Sequence, residues 1–155
     1  MRNERFVTPT LGIALLLIFG CTSESMGDSA VDFFLETSAD SNCYPEALFA
    51  TFAGQQKLSI RSAGLRREGD RTETNIMLLA GDQLVLSALS NPLVRPPEVK
   101  GSNVLIVQFI VRPNANATDV IAANALATKF RAWTVQYMPE CWRIAAVREN
   151  VLPKR

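Results

Sequence analysis

The stretch Asn103-Val104-Leu105-Ile106-Val107-Gln108-Phe109-Ile110-Val111-Arg112 decides how this chain folds. Apolar side chains fall on both parities of the run, and only Gln108 interrupts them. A strand that is apolar on both faces belongs in the centre of a sheet, covered from both sides. Toward the N-terminus, Thr72 to Leu79 ends in the apolar run Ile76-Met77-Leu78-Leu79, and Gln83 to Leu89 returns through Leu84, Val85 and Leu86 after Ala80-Gly81-Asp82, which predicts a β-hairpin. Ser90 to Ser102 separates that hairpin from the central strand. It holds Asn91-Pro92 and Pro96-Pro97, so no strand runs through it and a long loop is expected. Leu93 and Val94 in that loop read either as a partner contact or as residues that pin the loop to the core.

Further back, Val31 to Ser38 alternates, with Val31, Phe33 and Leu35 on one face, Asp32 and Glu36 on the other, and Phe34 as the exception. After turn residues 39–42 and Tyr44-Pro45, Glu46 to Ala53 reads as a second strand, with Leu48 and Phe52 facing one way and Phe49 the other, ended by Gly54. Lys57 to Ala63 alternates again. Gly64 to Arg71 is a charged turn in which Arg66 and Arg67 form either a patch for an anion or partner, or part of a solvated loop of mixed sign.

On the C-terminal side, Thr118 or Asp119 is placed to cap a helix. Ala122, Leu126, Phe130 and Trp133 then fall near helical spacing, which predicts a helix over Asp119 to Phe130. From Ala132 to Tyr137 the pattern shifts to period two. Cys141 to Val147 is expected as the last strand, with Trp142, Ile144 and Ala146 on one face, and Arg148 to Arg155 as a frayed tail. These elements predict a mainly β fold, an antiparallel β-sandwich with one helix; the alternative is an α+β layer with the helix packed across one sheet. Trp133, Tyr137 and Trp142 flank the final turn and read either as an aromatic binding platform or as core beside a sandwich disulfide.

The start of the chain carries its address. Arg2 and Arg5 open it, Leu11 to Phe19 is apolar, and Gly20-Cys21 follows. Nine apolar residues fall short of the roughly 20 that span a bilayer, whereas a basic opening and a short apolar run make a secretion signal. Ile18-Phe19-Gly20-Cys21 resembles the lipobox of bacterial lipoproteins, in which an aliphatic residue stands three before the cysteine and a small one directly before it. Ile18, Gly20 and Cys21 match, and Phe19 departs. The resemblance implies cleavage before Cys21 and acylation of its sulfur. It also implies an outer-membrane destination, because Thr22 replaces the aspartate that retains such proteins at the inner membrane. The expected organisation is a signal over 1–20, a flexible tether over 21–30, one periplasmic domain over 31–148 and the tail over 149–155.

Without the leader, 135 residues remain, enough for one domain with a core. They carry 14 basic and 14 acidic residues, a balance that argues against nucleic acid as a partner. Histidine is absent, which removes the commonest general base and metal ligand. With Cys21 acylated, Cys43 and Cys141 are left in an oxidising compartment, where a disulfide is expected; the alternative is two buried free thiols. The acidic residues Asp32, Glu36, Asp40, Asp82, Glu98, Asp119 and Glu140 form no pair with defensible catalytic spacing. There is no metal-ligand cluster and no glycine-rich phosphate loop, so neither an enzyme nor a cofactor is expected.

The lipobox, the length of the β-rich domain, Ser38-Ala39-Asp40-Ser41-Asn42 and Trp142-Arg143 are together similar to the TssJ family. Those are outer-membrane lipoproteins of type VI secretion with a transthyretin-like β-sandwich. The stretch Asp119 to Phe130 and the cysteine pair depart from that family. The resemblance implies a scaffold that holds a secretion complex through a loop between strands, here Gly64 to Arg71 or Ser90 to Ser102. Two readings of function follow. One is a membrane-anchored scaffold or assembly component that binds another envelope protein; the other is a periplasmic module that binds a ligand, cell wall or foreign enzyme.

Overall fold

The computed structural model of the chain describes residues 27–37, 45–62, 66–68, 71–73, 75–90, 95–101, 103–137 and 141–152. The fold is mainly β and antiparallel, with one main helix, as expected. Strands β1 (Asp28–Thr37), β2 (Ser59–Ser62), β5 (Asn75–Ala80), β6 (Gln83–Ser90), β7 (Asn103–Val111) and β8 (Trp142–Glu149) form one sheet in the order β2-β5-β6-β7-β1-β8. Strands β3 (Arg66–Glu68) and β4 (Arg71–Glu73) pair as a separate ribbon. Helix α1 (Pro45–Gln56) follows β1, and α2 (Ala117–Tyr137) lies between β7 and β8.

The predicted central strand is β7, which has hydrogen-bonded neighbours on both sides: β6 and β1. Its odd-numbered residues Leu105, Val107, Phe109 and Val111 join the main core with α1 and α2, while Val104 and Ile106 pack on the opposite face with Phe34 and Val99. The hairpin β5–β6 turns at Gly81, whose φ of 62° lies in the left-handed region that glycine enters without steric cost.

Two expected strands are helical. Glu46 to Ala53 belongs to α1, because its buried residues Leu48, Phe49, Phe52 and Ala53 recur at i, i+1, i+4 and i+5. That is one stripe of a helix, and the opposed directions of Phe49 and Phe52 in a strand reading are an accident of parity. Pro45 at the first helical position and the acidic Glu46 in the first turn fit a helix start. Gly54 does not end the helix. It ends at Lys57, at φ 56°, where Leu58 N–H donates to Ala53 O at 2.8 Å and Lys57 N–H to Gly54 O at 3.3 Å. This pair of bonds is a Schellman termination carried by a lysine.

Similarly, Ala132 to Tyr137 continues α2 rather than forming a strand, with Phe130, Trp133 and Thr134 buried along one stripe. The cap of α2 is neither Thr118 nor Asp119 but Asn116. Asp119 N–H donates to Asn116 Oδ1 at 3.0 Å and Asn116 N–H to Asp119 Oδ2 at 3.1 Å, a reciprocal capping box.

The domain is also longer than its expected bounds. Residues 28–30 lie in β1, not in a tether, and β8 runs to Glu149. Asn150 N–H then donates to Ala30 O at 2.9 Å, and Leu152 packs against the core, so the start of the expected tail is tied down. No helix among the described residues is long and apolar enough to cross a membrane.

Strand direction gives the sheet two unlike ends. At one lie the start of β1, the ends of β7 and β8, the β5–β6 turn, and the start of α2. At the other lie the end of β1, the starts of β7 and β8, the end of β6, the start of α1, and the connection bearing β3–β4.

Candidate functional site

The chemistry-bearing side chains gather on the face of the sheet that α1 and α2 leave uncovered. On β1 that face presents Asp32, Phe34 and Glu36 in a row, all buried. A bulge in the neighbouring edge strand makes their partners available. Leu35 pairs with Ile144 and Phe34 with Ala146, so Ala145 is the extra residue of β8. Without it, Arg143 and Arg148, five apart, would point to opposite faces. With it, both face the uncovered side, opposite Glu36 and Asp32 respectively, which are four apart. The same bulge moves Ala146 away from the face of Trp142 and Ile144, against expectation, and into the smaller cluster with Phe34.

Asp32 is fully occupied as an acceptor. Its Oδ2 accepts from Arg148 Nε at 3.1 Å, Arg148 Nη2 at 2.7 Å and Asn150 Nδ2 at 3.2 Å; its Oδ1 accepts from Ser29 Oγ at 2.6 Å and Gln108 Nε2 at 3.3 Å. Burial pushes the carboxyl up, but the hydrogen bonds from Ser29, Arg148, Asn150 and Gln108 together outweigh it and hold Asp32 below its ordinary value. The Arg148 guanidinium also lies over the Phe34 ring, 5.5 Å from its centroid.

Glu36 fastens a loop. Its Oε1 accepts from the backbone N–H groups of Lys100 and Gly101, each at 2.9 Å, and its Oε2 pairs with Arg143. The Gly101 bond is the largest influence on its carboxyl; with the bonds from Lys100 and Arg143 it outweighs burial and sets Glu36 below the usual range. Gly101 has to approach this closely: a Cβ there would stand 3.1 Å from Glu36 Cγ. Within the loop, Val99 N–H donates to Pro96 O at 3.0 Å and Arg95 to Gly101 O at 2.8 Å, while Val99 is buried against Phe34. Residues 95–101 therefore close as a turn clamped to β1 by one carboxylate.

This arrangement holds structure rather than a reacting group. Both carboxylates are ionised and saturated with donors, the opposite of a carboxyl raised to act as a general acid. Among the described residues, three hollows lie elsewhere. One of about 450 Å³ lies between the helices over Val85, one of about 320 Å³ lies between α2 and Val147, and one of about 430 Å³ lies on the uncovered face beside Gly27. Neither Asp32 nor Glu36 lines any of them. No group of three metal-ligating side chains occurs among the described residues.

The residues singled out from sequence are distributed as follows. Cys141, just before β8, is disulfide-bonded; Cys43, its expected partner, lies outside the described residues, as do Cys21, Leu93 and Val94. The segment 91–94 joins Ser90 at the end of β6 to the clamped turn at Arg95. Arg66 and Arg67 are in β3, not in an irregular turn, and their backbones pair with Glu73 and Thr72. Trp133 and Trp142 are buried in the main core, so this pair is core rather than an exposed platform. Glu36 and its loop contact were not foreseen. The usable signal was two acids bracketing Phe34 on one strand face, with two arginines in the last strand to meet them. The chain matches no family model, no curated protein and no solved structure.

Proposed function

We propose that this protein is a lipid-anchored scaffold or assembly component of the bacterial cell envelope, held at the outer membrane through Cys21, its domain facing the periplasm, and that it binds another envelope protein. The observation that carries this reading is the disulfide at Cys141 in a chain whose leader ends on an acylatable thiol. Disulfides persist in oxidising compartments, so the bridge and the leader point to the same place. Cys43 is the natural partner, because Cys21 is committed to lipid.

The layout of the sheet supports a division of labour. The chain arrives from Cys21 at the start of β1, while Ser90 and Arg95, which bracket Leu93 and Val94, and the β3–β4 ribbon with Arg66 and Arg67 belong to the opposite end. A protein tethered at one end presents the other. The 95–101 clamp at Glu36 fixes the chain from Arg95 onward, directly after Leu93 and Val94 in sequence, which lowers the entropic cost of presenting them to a partner. A place in a secretion apparatus is the narrower form of this reading and rests on the sequence resemblance alone.

Replacing Cys21 with serine tests it. The domain should leave the membrane fraction with unchanged thermal unfolding, and the cellular function should be lost. A released domain that keeps its function would instead favour the second reading, a periplasmic ligand- or enzyme-binding module. A Leu93→Asp variant should lose the partner in affinity purification from cross-linked envelopes while staying anchored.

A further inference from the structure

The hollow of about 430 Å³ on the uncovered face lies where the chain enters the domain. Its apolar wall comes from three strands: Met77 and Leu79 of β5, Leu84 of β6 and Ile110 of β7. Ile76, Leu78, Leu86 and Phe109 face the helices instead, Leu84 and Leu86 being turned to opposite faces by a bulge at Val85. A polar rim of Arg61, Asp82, Gln83 and Arg112 completes the mouth. The volume falls within the roughly 300–1,000 Å³ of sites that take small ligands, and an apolar wall with a polar mouth suits an alkyl chain whose linkage stays in water.

Gly27 is itself part of the wall. Its backbone lies so close to β7 that a Cβ would stand 1.8 Å from Val111 O, a position only glycine can hold. The chain therefore enters at this one point. Gly27 is six positions after Cys21, which limits the thiol to within about 20 Å of the hollow. At such a tether length an attached group has an effective concentration on the order of millimolar, so even a weak apolar site is filled by it.

We infer that this hollow receives one acyl chain of the protein's own anchor on Cys21. The inference rests on the lipoprotein reading above. The anchor then also sets orientation. A chain lodged between β5 and β7 turns a loose leash into a mount, fixing the tethered end of the sheet against the bilayer and directing the other end away from it.

Photo-crosslinking in native membranes tests this directly. The full chain is produced in an acylating host with the photoreactive residue p-benzoylphenylalanine in place of Leu84, irradiated, digested and analysed by mass spectrometry. The expected product is the peptide around position 84 joined to the acylated Cys21 peptide, at least tenfold more abundant than from a control with the same group at the exposed Val151. A product carrying a free phospholipid would show that the hollow takes bilayer lipid and would overturn the assignment. So would an acylated Cys21 with no link above the control. Met77, on the same wall, serves as a second probe position if the first variant misfolds. A Cys21 peptide without acyl groups in the same spectra would overturn the anchor reading itself, and this inference with it.

Discussion

Strand β1 buries two adjacent phenylalanines in opposite ways. Phe33 points to the helices and packs edge-on against two rings, Phe109 at 5.6 Å and Phe130 at 5.9 Å, with Phe130 in turn touching Phe49, Phe52 and Trp133. Phe34 points the other way, between two ionised carboxylates and under the Arg148 guanidinium. A face that receives helices can be sealed by dispersion and apolar burial alone. A face without them is sealed by what its own edge strand and a neighbouring loop supply: arginine stems, a clamped turn and the carboxylates that orient both. The first kind of seal should be indifferent to pH and the second should not.

The largest break in this comparison is Phe130→Ala. It removes the ring at which the aromatic contacts of both helices and the sheet converge, and should cost about 4 kcal/mol in urea unfolding. Its acid sensitivity should be unchanged. Asp32→Asn attacks the other face. It leaves Arg148, Ser29 and Asn150 around an uncharged group, at about 2 kcal/mol. That is less than the roughly 3–5 kcal/mol of a fully buried broken pair, because Arg148 is half exposed.

The pH dependence follows from the signs. Asp32 and Glu36 titrate lower in the folded than in the unfolded chain. Their contribution is therefore fully present above the unfolded carboxylate values, near pH 4, and is lost as pH falls through the folded ones. Unfolding midpoints measured from pH 6 down to pH 3 should drop for the wild type below about pH 4 and drop equally for Phe130→Ala. For Asp32→Asn they should drop less. Equal acid curves for all three would mean that the two faces do not differ as described.

Legibility in the sequence divides along the same line. Where burial follows period two, the reading is direct: β7, β1 and the β5–β6 hairpin emerge from alternation and turn residues. Period fails where a short run satisfies two periods at once. Leu48, Phe49, Phe52 and Ala53 fit a helical stripe, but over eight residues Leu48 and Phe52 also share a strand parity. Long-range pairing decided between them, since β2 already occupies the sheet edge beside β5. The clamp on the uncovered face was hidden for a different reason. Glu36 and Gly101 are 65 positions apart, and Arg143 reaches Glu36 alongside Arg148 only because Ala145 bulges. No local pattern announces a bulge that serves a distant carboxylate.

Glu36→Gln sharpens the comparison further. The amide oxygen can still accept from Lys100 and Gly101, but the charge that strengthened those bonds and held Arg143 is gone. The global cost should be about 1.5 kcal/mol, the lower range for a hydrogen bond to a charged group. The local effect should be larger in kind than in size. Amide exchange at Lys100 and Gly101 should accelerate several-fold while Phe109 and Val107, in the central strand, stay as slow as in the wild type. Uniform acceleration would mean that the turn over 95–101 has no stability of its own to lose.

The smallest effect belongs to the helix side and runs in the opposite direction. Lys57 terminates α1 in the left-handed region, where a Cβ crowds the following carbonyl at a cost of roughly 1–2 kcal/mol. Glycine removes that strain but gains freedom in the unfolded chain, which returns part of the benefit. Lys57→Gly should therefore stabilise by about 0.5 kcal/mol, seen as a small rise in the urea midpoint with an unchanged slope. The lysine is exposed and takes no part in the carboxylate network, so the rise should be the same at pH 3.5 as at pH 6. A rise that shrinks in acid would tie the end of α1 to the charged face and undo the separation of the two.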